Sequence, residues 1–558
     1  MTPFPRDPSQ APRAGITAAG LTLAAGGRVL LEDASFAVPH GRRLALIGRN
    51  GSGKSTLLAT LRAMARGGPP PEHVELRGSL TFAPGTELAL LPQSPQPSFG
   101  GTAGGYLEQR AGDVSRAWRR HERLVAAMAA GRQDERLLRD YGEALEAVQR
   151  LDAWSWPQRV AEVVAGLGLT LDLLDRPLAS LSGGQAARLA LSGVLLSAPS
   201  VLLLDEPGNN LDLPGLRFLA GWIRASPAAL VLVSHDRELI DSTVHEVLEI
   251  EEHTRRLRLY GGNWTFAAER RQEEREAQAR RFAEQEQRRG RLEAAARGIA
   301  GRAQRFQATS QSDFYRGKSA RVARQAGAMQ ARIDRELNRL DEPEPPAQPR
   351  LTVAPVGNIR GLLVRAVDVG FGYAEAPVVD GVSLTVHAGD RLALVGPNGS
   401  GKSTLLRLLA GGLQPDTGRV ERAPRTRIAL LAQAPAVPEP GASLLAFAAS
   451  RHAVPTEQLR VVLGKVVFGD PARIRADDVS VGELRRAECA TLFASAPDIA
   501  LLDEPTNHLD LQSIEMLEAA VAEYRGALVV VTHDARFLAT LHPTSVLTLP
   551  MKEGQVGS

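Results

Sequence analysis

The sequence GRNGSGKST at residues 48–56 recurs as GPNGSGKST at residues 396–404, and this repeat decides how the chain is organised. The same offset of 348 residues aligns the apolar stretches before the two motifs, RLALI at 43–47 and RLALV at 391–395. A GxxxxGK[ST] motif after an apolar strand predicts a phosphate-binding loop, because its glycines let backbone N–H groups face phosphate oxygens at a helix start. Each half of the chain therefore carries one such loop.

Further motifs repeat downstream of each loop, and their spacing is the same in both halves. The pairs are LSGGQ (181–185) with VSVGE (479–483), LLLDEP (202–207) with ALLDEP (500–505), and SHD (234–236) with THD (532–534). In each half, 23 residues separate the Ser of the first motif from the Asp of the second, and 30 separate that Asp from the His of the third. This agreement indicates duplication of a whole domain.

Each half alternates short apolar stretches with helical segments, and the polar motif residues follow the apolar stretches directly. The pattern predicts an α/β fold with a largely parallel sheet, whose strand ends are where such sheets bind ligands. We expect two tandem P-loop domains joined by a charged α-helical linker. The predicted segments are a disordered leader at 1–15, a first domain at 16–255 with a short helical arm near 115–151, a linker at 256–348 and a second domain at 349–558.

The composition excludes several classes of protein. With 558 residues, 44% hydrophobic and 23% charged, the chain is typical of multidomain globular proteins and unlike collagen or a coiled-coil rod. A net charge of +3 requires any nucleic-acid surface to be local. Cys489 is the single cysteine, so an internal disulfide is excluded and a reducing compartment is favoured. The sequence offers no apolar stretch suited to a signal peptide or a membrane span, so we expect a cytoplasmic protein.

A local basic surface is predicted between the halves. Residues 269–340 contain 17 Arg and one Lys against ten acidic residues, and their pattern predicts helix. Residues 287–332 contain 11 basic and two acidic residues, with Phe306, Phe314 and Tyr315 among them. Arginines interleaved with aromatic residues indicate RNA binding, whereas the alternative is a solvated helix face with i,i+4 ion pairs. The segment ends in the proline-rich sequence DEPEPPAQP at 341–349.

The repeated motifs supply side chains suited to a nucleoside triphosphate and Mg²⁺. Lys54 and Lys402 add point charges for the phosphates. The predicted metal ligands are Ser55, Gln93 and Asp205 in the first half, and Ser403, Gln433 and Asp503 in the second. The predicted catalytic residues are Glu206 and Glu504, which would polarise an attacking water, and His235 and His533, which would sense the γ-phosphate. The alternatives are a helix N-cap for the acidic pairs, a structural role for the histidines and an exposed loop position for the glutamines.

With these motifs, both halves of the chain resemble the ATP-binding cassette superfamily, in which LSGGQ is a signature that binds ATP on the opposite cassette. The resemblance implies a monomer whose two cassettes close as an intramolecular sandwich over two ATP, with Mg²⁺. For the first ATP it implies contacts from Gly48, Asn50, Gly51, Ser52, Gly53, Lys54, Ser55, Thr56 and Gln93, with Ser480, Gly482 and Glu483. For the second it implies contacts from Tyr373, Gly396, Asn398, Gly399, Ser400, Gly401, Lys402, Ser403, Thr404 and Gln433, with Ser182, Gly183, Gly184 and Gln185.

Two departures from the superfamily pattern distinguish the halves. Tyr373 occupies the position where the superfamily stacks adenine, but the offset places Ala25 at this position in the first half. The second signature, VSVGE, lacks the usual Leu, middle Gly and Gln. The two sites are therefore expected to differ.

The sequences EPGNNLD at 206–212, EPTNHLD at 504–510 and YGGNWTF at 260–266 resemble the ABC-F translation factors. This resemblance implies an ATPase at the ribosomal E site, whose linker contacts rRNA and the P-site tRNA, acting as a translation factor or as an antibiotic-resistance protein that protects the ribosome. The helical arm resembles the segment that contacts ribosomal protein and RNA in that family. Two alternatives are an ATP-binding subunit of an ABC transporter with separate membrane partners, and a DNA-associated ATPase of the same subfamily.

Overall fold

The structure is a computed structural model. It describes residues 14–93, 101–131, 134–251, 254–308, 327–329, 331–333, 335, 350–357, 360–373, 376–397, 399–467, 469–507 and 509–549. The predicted features outside the described residues are most of the leader, Asn398, the proline-rich stretch 341–349, and Phe314, Tyr315, Arg316, Lys318, Arg321 and Arg324 of the linker. The side chains of Arg302, Arg305 and Phe306 lie outside it as well. The chain divides into two compact units, Met1–Trp264 with Arg350–Ser558, and Thr265–Pro349.

The first half of the larger unit turns its apolar stretches into strands and its amphipathic segments into helices. In chain order these are β1 (Ala14–Ala25), β2 (Arg28–Pro39), β3 (Arg43–Ile47), α1 (Lys54–Ala65), β4 (Val74–Phe82), β5 (Leu88–Leu91), α2 (Ala103–Ala111), α3 (Asp113–Ala129), α4 (Glu135–Arg150), α5 (Trp156–Gly166), α6 (Gly183–Leu196), β6 (Val201–Asp205), α7 (Leu213–Ala225), β7 (Ala229–Val233), α8 (Arg237–Thr243), β8 (Glu246–Ile250) and β9 (Leu257–Tyr260). Short 3₁₀ turns lie between α4 and α6, at Ala153–Ser155, Leu171–Asp175 and Leu178–Ser180.

A mostly parallel sheet in the order β5-β6-β7-β3-β8-β9 forms the centre of this half. Strand β3 pairs in parallel with β7 and β8, β6 pairs in parallel with β5 and β7, and β9 is an antiparallel edge strand. Every residue of β6 and β7 is buried, as expected for strands covered on both faces. Since β3, β6 and β7 are parallel neighbours, their carboxyl ends meet at one edge of the sheet.

A second, antiparallel sheet in the order β2-β1-β4 closes the other side of the core. One apolar cluster joins Leu21 and Leu23 of β1, Leu58 of α1, and Leu46 and Leu203 of the parallel sheet. This shared core holds α1, and with it the phosphate loop, against both sheets.

The second half repeats this architecture. Its elements are β10 (Leu362–Tyr373), β11 (Ala376–His387), β12 (Arg391–Val395), α10 (Lys402–Ala410), β13 (Thr417–Arg422), β14 (Ile428–Leu431), α11 (Leu444–Arg451), α12 (Thr456–Gly464), α13 (Val481–Ala494), β15 (Ile499–Asp503), α14 (Leu511–Glu523), β16 (Ala527–Val531), α15 (Ala535–Leu541) and β17 (Ser545–Thr548). The strand order β11-β10-β13 matches β2-β1-β4, and the order β14-β15-β16-β12-β17 matches β5-β6-β7-β3-β8 of the first half; among the described residues, β9 has no counterpart in this sheet. The α/β fold with two tandem domains is thereby confirmed.

Helices α3 and α4 form a hairpin in the segment where the sequence predicts a helical arm. A small apolar cluster joins Ala117 of α3, Val148 of α4 and Ala153 after it. The buried ring of His121 stacks between Tyr141 and Trp154, with ring centroids 5.5 Å and 4.9 Å apart. The hairpin therefore has its own packing.

The smaller unit contains most of a 45-residue helix, α9 (Trp264–Ala308). The range 256–348 given to the linker by the sequence also includes β9, which pairs with β8. Within the described residues, no helix is both long and apolar enough to cross a membrane.

Candidate functional site

The carboxyl edge of each parallel sheet collects the polar motif residues. Asp205 ends β6, His235 follows β7, and the first phosphate loop joins β3 to α1. In the second half, Asp503 ends β15 and His533 follows β16. Residues that are far apart in sequence therefore meet because their strands are neighbours in the sheet.

Each phosphate loop is organised around its buried lysine. Lys54 Nζ donates hydrogen bonds to the carbonyls of Gly48 and Arg49 at 2.7 Å and 2.9 Å. Lys402 Nζ donates to the corresponding carbonyls of its own loop at 2.7 Å and 2.8 Å. Burial lowers the pKa of both lysines, which favours partners that restore the charged form. Helices α1 and α10 begin at these lysines without a side-chain cap, so their first N–H groups remain directed at the loop.

Several buried polar atoms fit a triphosphate with Mg²⁺. Ser52 Oγ, Ser400 Oγ and Asp503 Oδ1 are buried, and the described residues provide no hydrogen-bond partner for them. Burial raises the pKa of Asp205 and that of Asp503, and the hydroxyl groups of Ser55 and Ser403, respectively, oppose this rise. In the described part of the chain, no group of three or more His, Cys, Asp or Glu is placed to hold a metal ion by itself. This donor set suits Mg²⁺, which takes one or two protein ligands together with phosphate oxygens and water.

Each predicted catalytic glutamate lies against the histidine of its own half. His235 Nε2 is 3.2 Å from Glu206 Oε1, and His533 Nε2 is 3.3 Å from Glu504 Oε1. The backbone N–H of each histidine also donates to the other carboxylate oxygen of its glutamate, at 3.4 Å in both halves. Both glutamates have left-handed backbone, with φ of 52° and 46°. Strained backbone at the same position in both halves indicates a functional constraint.

Burial sets the protonation of these pairs. It raises the pKa of Glu206 to about 8 and that of Glu504 to about 7. It lowers the pKa of His235 to about 3 and also lowers the pKa of His533. The imidazoles are therefore neutral at neutral pH, and the carboxyl groups titrate near the operating pH, as suits a general base.

A single cleft of about 890 Å³ lies between the two halves and brings most of the predicted residues together. Its lining from the first half includes Asn50, Gly51, Gly53, Lys54, Ser55, Thr56, Gln93, Gly184, Asp205, Glu206 and His235. Its lining from the second includes Gly399, Gly401, Lys402, Ser403, Thr404, Gln433, Ser480, Gly482, Asp503, Glu504 and His533. The predicted residues that do not line it are Gly48, Ser52, Ser182, Gly183, Gln185, Tyr373, Gly396, Ser400 and Glu483.

Two residues of each signature have a local structural role. Ser182 and Gln185 form a capping box at the start of α6, and Ser480 and Glu483 form one at the start of α13. The side chains of Gln185 and Glu483 accept hydrogen bonds from the backbone N–H of the two serines, at 3.0 Å in each case. These two side chains therefore order the signature helices in this structure.

Tyr373 is about half exposed, at 48% of its full area, and stands edge-on to Phe371 with ring centroids 5.1 Å apart. An exposed ring held by a neighbouring ring can stack a base. In the first half, Ala25 provides no such ring.

Asp510 contacts the first phosphate loop, although none of the sequence motifs predicts a role for it. Its Oδ1 accepts from the N–H of Ser513 at 2.8 Å and caps α14. Its Oδ2 accepts from the backbone N–H of Asn50, in the other half, at 3.2 Å. The Leu-Asp that ends EPGNNLD and EPTNHLD is the repeated signal that could have identified it. One carboxylate thus joins the phosphate loop of one half to a helix start in the other.

The two halves are also joined by ion pairs next to the histidine motifs. Arg237, at the start of α8, donates from Nη1 to Glu518 at 3.0 Å, and its Nη2 lies 3.3 Å from Asp534, which follows His533. The Arg237 side chain is 7% exposed. A second pair joins Arg536 to Asp241, but the Arg536 side chain is 38% exposed. The segments after the two histidines are therefore bound to each other.

Replacing Arg237 should weaken the association of the halves. Arg237→Ala leaves Glu518 and Asp534 without their buried cation, and breaking a buried pair in this way costs about 3–5 kcal/mol. Arg536→Ala is the matched control, because an exposed pair contributes about 1 kcal/mol or less. We expect a clearly larger fall in the free energy of unfolding for Arg237→Ala in urea denaturation. Equal, small effects would contradict a structural role for this bridge.

Comparison with known proteins identifies the family. The model of the ABC transporter family matches residues 31–209 and 379–507. The tylosin resistance ATP-binding protein TlrC of Streptomyces fradiae is 34% identical over 547 residues, 94% of this chain and 95% of that protein. ABC transporter F family member 4 of Arabidopsis thaliana is 30% identical, over 94% of this chain and 72% of its own length. The solved complex of archaeal ribosomal stalk protein aP1 with the ribosome recycling factor aABCE1 matches with a TM-score of 0.53 at 18% identity, covering 92% of this chain and 85% of that one, which shows a shared fold. The chain therefore belongs to the ABC-F subfamily of ATP-binding cassette ATPases.

Proposed function

We propose that this ATPase acts on the ribosome, in the E-site region, and that ATP binding closes its two cassettes over two Mg²⁺-bound nucleotides. The proposal that ATP binds between the cassettes rests on the cleft, because both phosphate loops, both glutamates and the second signature line it. Because one chain supplies both faces of the cleft, we further propose that a monomer is the functional unit.

In this proposal, each glutamate removes a proton from the attacking water. The neutral histidine beside it contacts the γ-phosphate, and the lysine of the same phosphate loop neutralises phosphate charge. Mg²⁺ would be held by Ser55 and Asp205 in the first site and by Ser403 and Asp503 in the second, with Gln93 and Gln433 nearby. When bound, the metal ion neutralises charge that develops on the phosphates.

The double substitution Glu206→Gln/Glu504→Gln tests the catalytic proposal. Gln keeps the size and polarity of the side chain but cannot accept the proton, so turnover should fall about 10²–10⁴-fold, the usual contribution of a general base. ATP binding should persist, which a nucleotide titration measures. ATP turnover within about twofold of the parent would contradict the assignment of Glu206 and Glu504 as general bases.

Adenine recognition provides a second test, because only the second cassette has an aromatic ring at the expected position. In a Lys54→Ala background, ATP binds mainly at the second site. There, Tyr373→Ala should weaken ATP binding about 5–100-fold, since stacking on a base contributes about 1–3 kcal/mol. Tyr373→Phe keeps the ring and is the control. In a Lys402→Ala background, Ala25→Ser should change binding at the first site less. Equal effects of Tyr373→Ala and Ala25→Ser would indicate another adenine platform.

The ribosome is proposed as the partner because of the family and the basic linker. The relative TlrC is named a tylosin resistance protein, and the archaeal structural neighbour is a ribosome recycling factor. In α9, the described ion pairs Arg270–Glu273 and Arg289–Glu293 fit a solvated helix face as far as Glu293. Beyond Glu293, residues 294–332 contain eight basic residues and one acid, so helix-face pairing cannot balance their charge. We therefore propose this later part as the rRNA contact, with the P-site tRNA beyond it.

Charge removal in the linker tests this partner. Converting Arg302, Arg305, Arg316, Lys318, Arg321 and Arg324 to Gln should weaken ribosome binding and reduce its dependence on salt by several units of slope, because fewer phosphate contacts release fewer counterions. The matched control converts Arg270, Arg271, Arg275, Arg280, Arg281 and Arg288, an equal number in the acid-rich part of α9. Co-sedimentation with ribosomes at several salt concentrations measures both. Unchanged affinity and slope in the first variant would exclude the rRNA contact.

The second candidate function is an ATP-binding subunit of an ABC transporter. Retention of the ATP-loaded Glu206→Gln/Glu504→Gln protein on membranes rather than on ribosomes would favour it. If ribosomes retain the protein, growth with and without a ribosome-targeting antibiotic separates a protective role from a general role in translation.

We also propose a cytoplasmic location. In the sequence, the proposed linker begins after β9 and connects the first cassette to the second.

A further inference from the structure

Helix α13, which begins at the second signature, carries two buried charged residues that the first cassette lacks. Arg485 is 0% exposed and Glu488 is 6% exposed. Aligning Ser480 with Ser182 places Ala187 and Ala190 at the same positions of α6. Since both cassettes have the same fold, a cassette does not need this charged pair in order to fold.

The guanidinium of Arg485 binds three backbone carbonyls around the second site. Its Nη1 donates to Ala432, the residue before Gln433, at 2.5 Å. Its Nη2 donates to Asp503 at 3.1 Å and to Glu504 at 3.3 Å. Arg485 therefore connects the signature helix to the loop of Gln433 and to the end of β15.

Glu488 extends this connection to the other side of the Gln433 loop. Its Oε2 lies 3.5 Å from Arg485 Nη1, and its Oε1 accepts from the N–H of Ala436 at 3.0 Å. The pair thus holds the chain just before and just after Gln433. Glu488 also supplies the counter-charge that a fully buried guanidinium requires.

The gain in stability from such a pair is small. Burying two charges costs several kcal/mol in lost hydration, and well-packed apolar residues of similar volume are often as stable or more so. Arg485 Nε and Glu488 Oε2 have no hydrogen-bond partner among the described residues, so the compensation is incomplete. What Arg485 contributes is fixed geometry, because a planar guanidinium can hold several acceptors at set angles.

We propose that Arg485, supported by Glu488, is a positioning residue for ATP hydrolysis at the second site. It holds the peptide groups on both sides of the left-handed Glu504 and fixes the Gln433 loop against the same helix. The start of that helix carries Ser480 and Gly482, which line the cleft toward the other cassette. The inference rests on the proposed catalytic role of Glu504 and is independent of the ribosome.

The test compares the two sites within one chain. In a Glu206→Gln background, turnover comes from the second site, and Arg485→Ala/Glu488→Ala reproduces the alanines of the first cassette. We expect kcat to fall at least tenfold with KM for ATP changed by less than twofold, because the substitution moves catalytic groups and leaves the phosphate loop intact. In a Glu504→Gln background, where turnover comes from the first site, the fall should be at least fivefold smaller.

Two further variants separate positioning from a general effect on folding. Arg485→Met/Glu488→Met keeps the buried volume, and it should retain the thermal midpoint of the parent while losing kcat at the second site to the same degree. Arg485→Lys should fail to restore kcat, since one ammonium group cannot hold three carbonyls. Equal falls in both backgrounds, or a second-site kcat within twofold of the parent, would overturn the inference. Retained turnover in Glu206→Gln/Glu504→Gln would instead overturn the role of Glu504 itself.

Discussion

Charge buried at the carboxyl edge of each parallel sheet is the constraint on which the rest of the molecule depends. Lys54 and Glu206 lie in the same buried site, and burial shifts the pKa of each toward its neutral form. A triphosphate with Mg²⁺ is the ligand that best compensates this arrangement, because it brings anionic oxygens to the lysine and a cation to the acids. The unpartnered hydroxyls of Ser52 and Ser400 fit the same ligand.

Charged groups also hold the two cassettes face to face. Asp510 caps its own helix and accepts a hydrogen bond from Asn50 across the cleft, so one carboxylate serves fold and interface at once. Arg237 links the segments that follow the two histidines. The segments that follow the two histidines are therefore held to each other by a buried ion pair.

The sequence predicts the duplicated fold well because its motifs are short, regularly spaced and tied to strand ends. The repeat of Asp205 and His235 as Asp503 and His533 predicts that these side chains lie at the carboxyl edge of the sheet in both halves. Contacts across the cleft could not be predicted in this way. The repeated Leu-Asp can mark Asp510 as a residue of interest, but no local pattern pairs it with Asn50 or pairs Arg237 with Glu518. The signatures predict that Gln185 and Glu483 contact ATP. In this structure their side chains complete capping boxes, which the Ser-x-x-Gln and Ser-x-x-Glu spacing also permits.

Differences between the cassettes concentrate where one cassette faces the other. Arg49 stands in the first phosphate loop where the second has Pro397, and the signature opposite it carries Glu483 where the first signature has Gln185. Burial lowers the pKa of Arg49, as does Arg486, while Asp510 and Glu483 of the second cassette oppose this shift. Compared with the second site, the first site therefore has an additional cation, Arg49, and an additional anion, Glu483. Compared with the first site, the second has the additional pair Arg485 and Glu488. Each added charge has a charge of opposite sign across the cleft or along a helix, so the asymmetry consists of opposite-charge pairs. The charged groups near the two sites therefore differ while the folds of the cassettes remain the same.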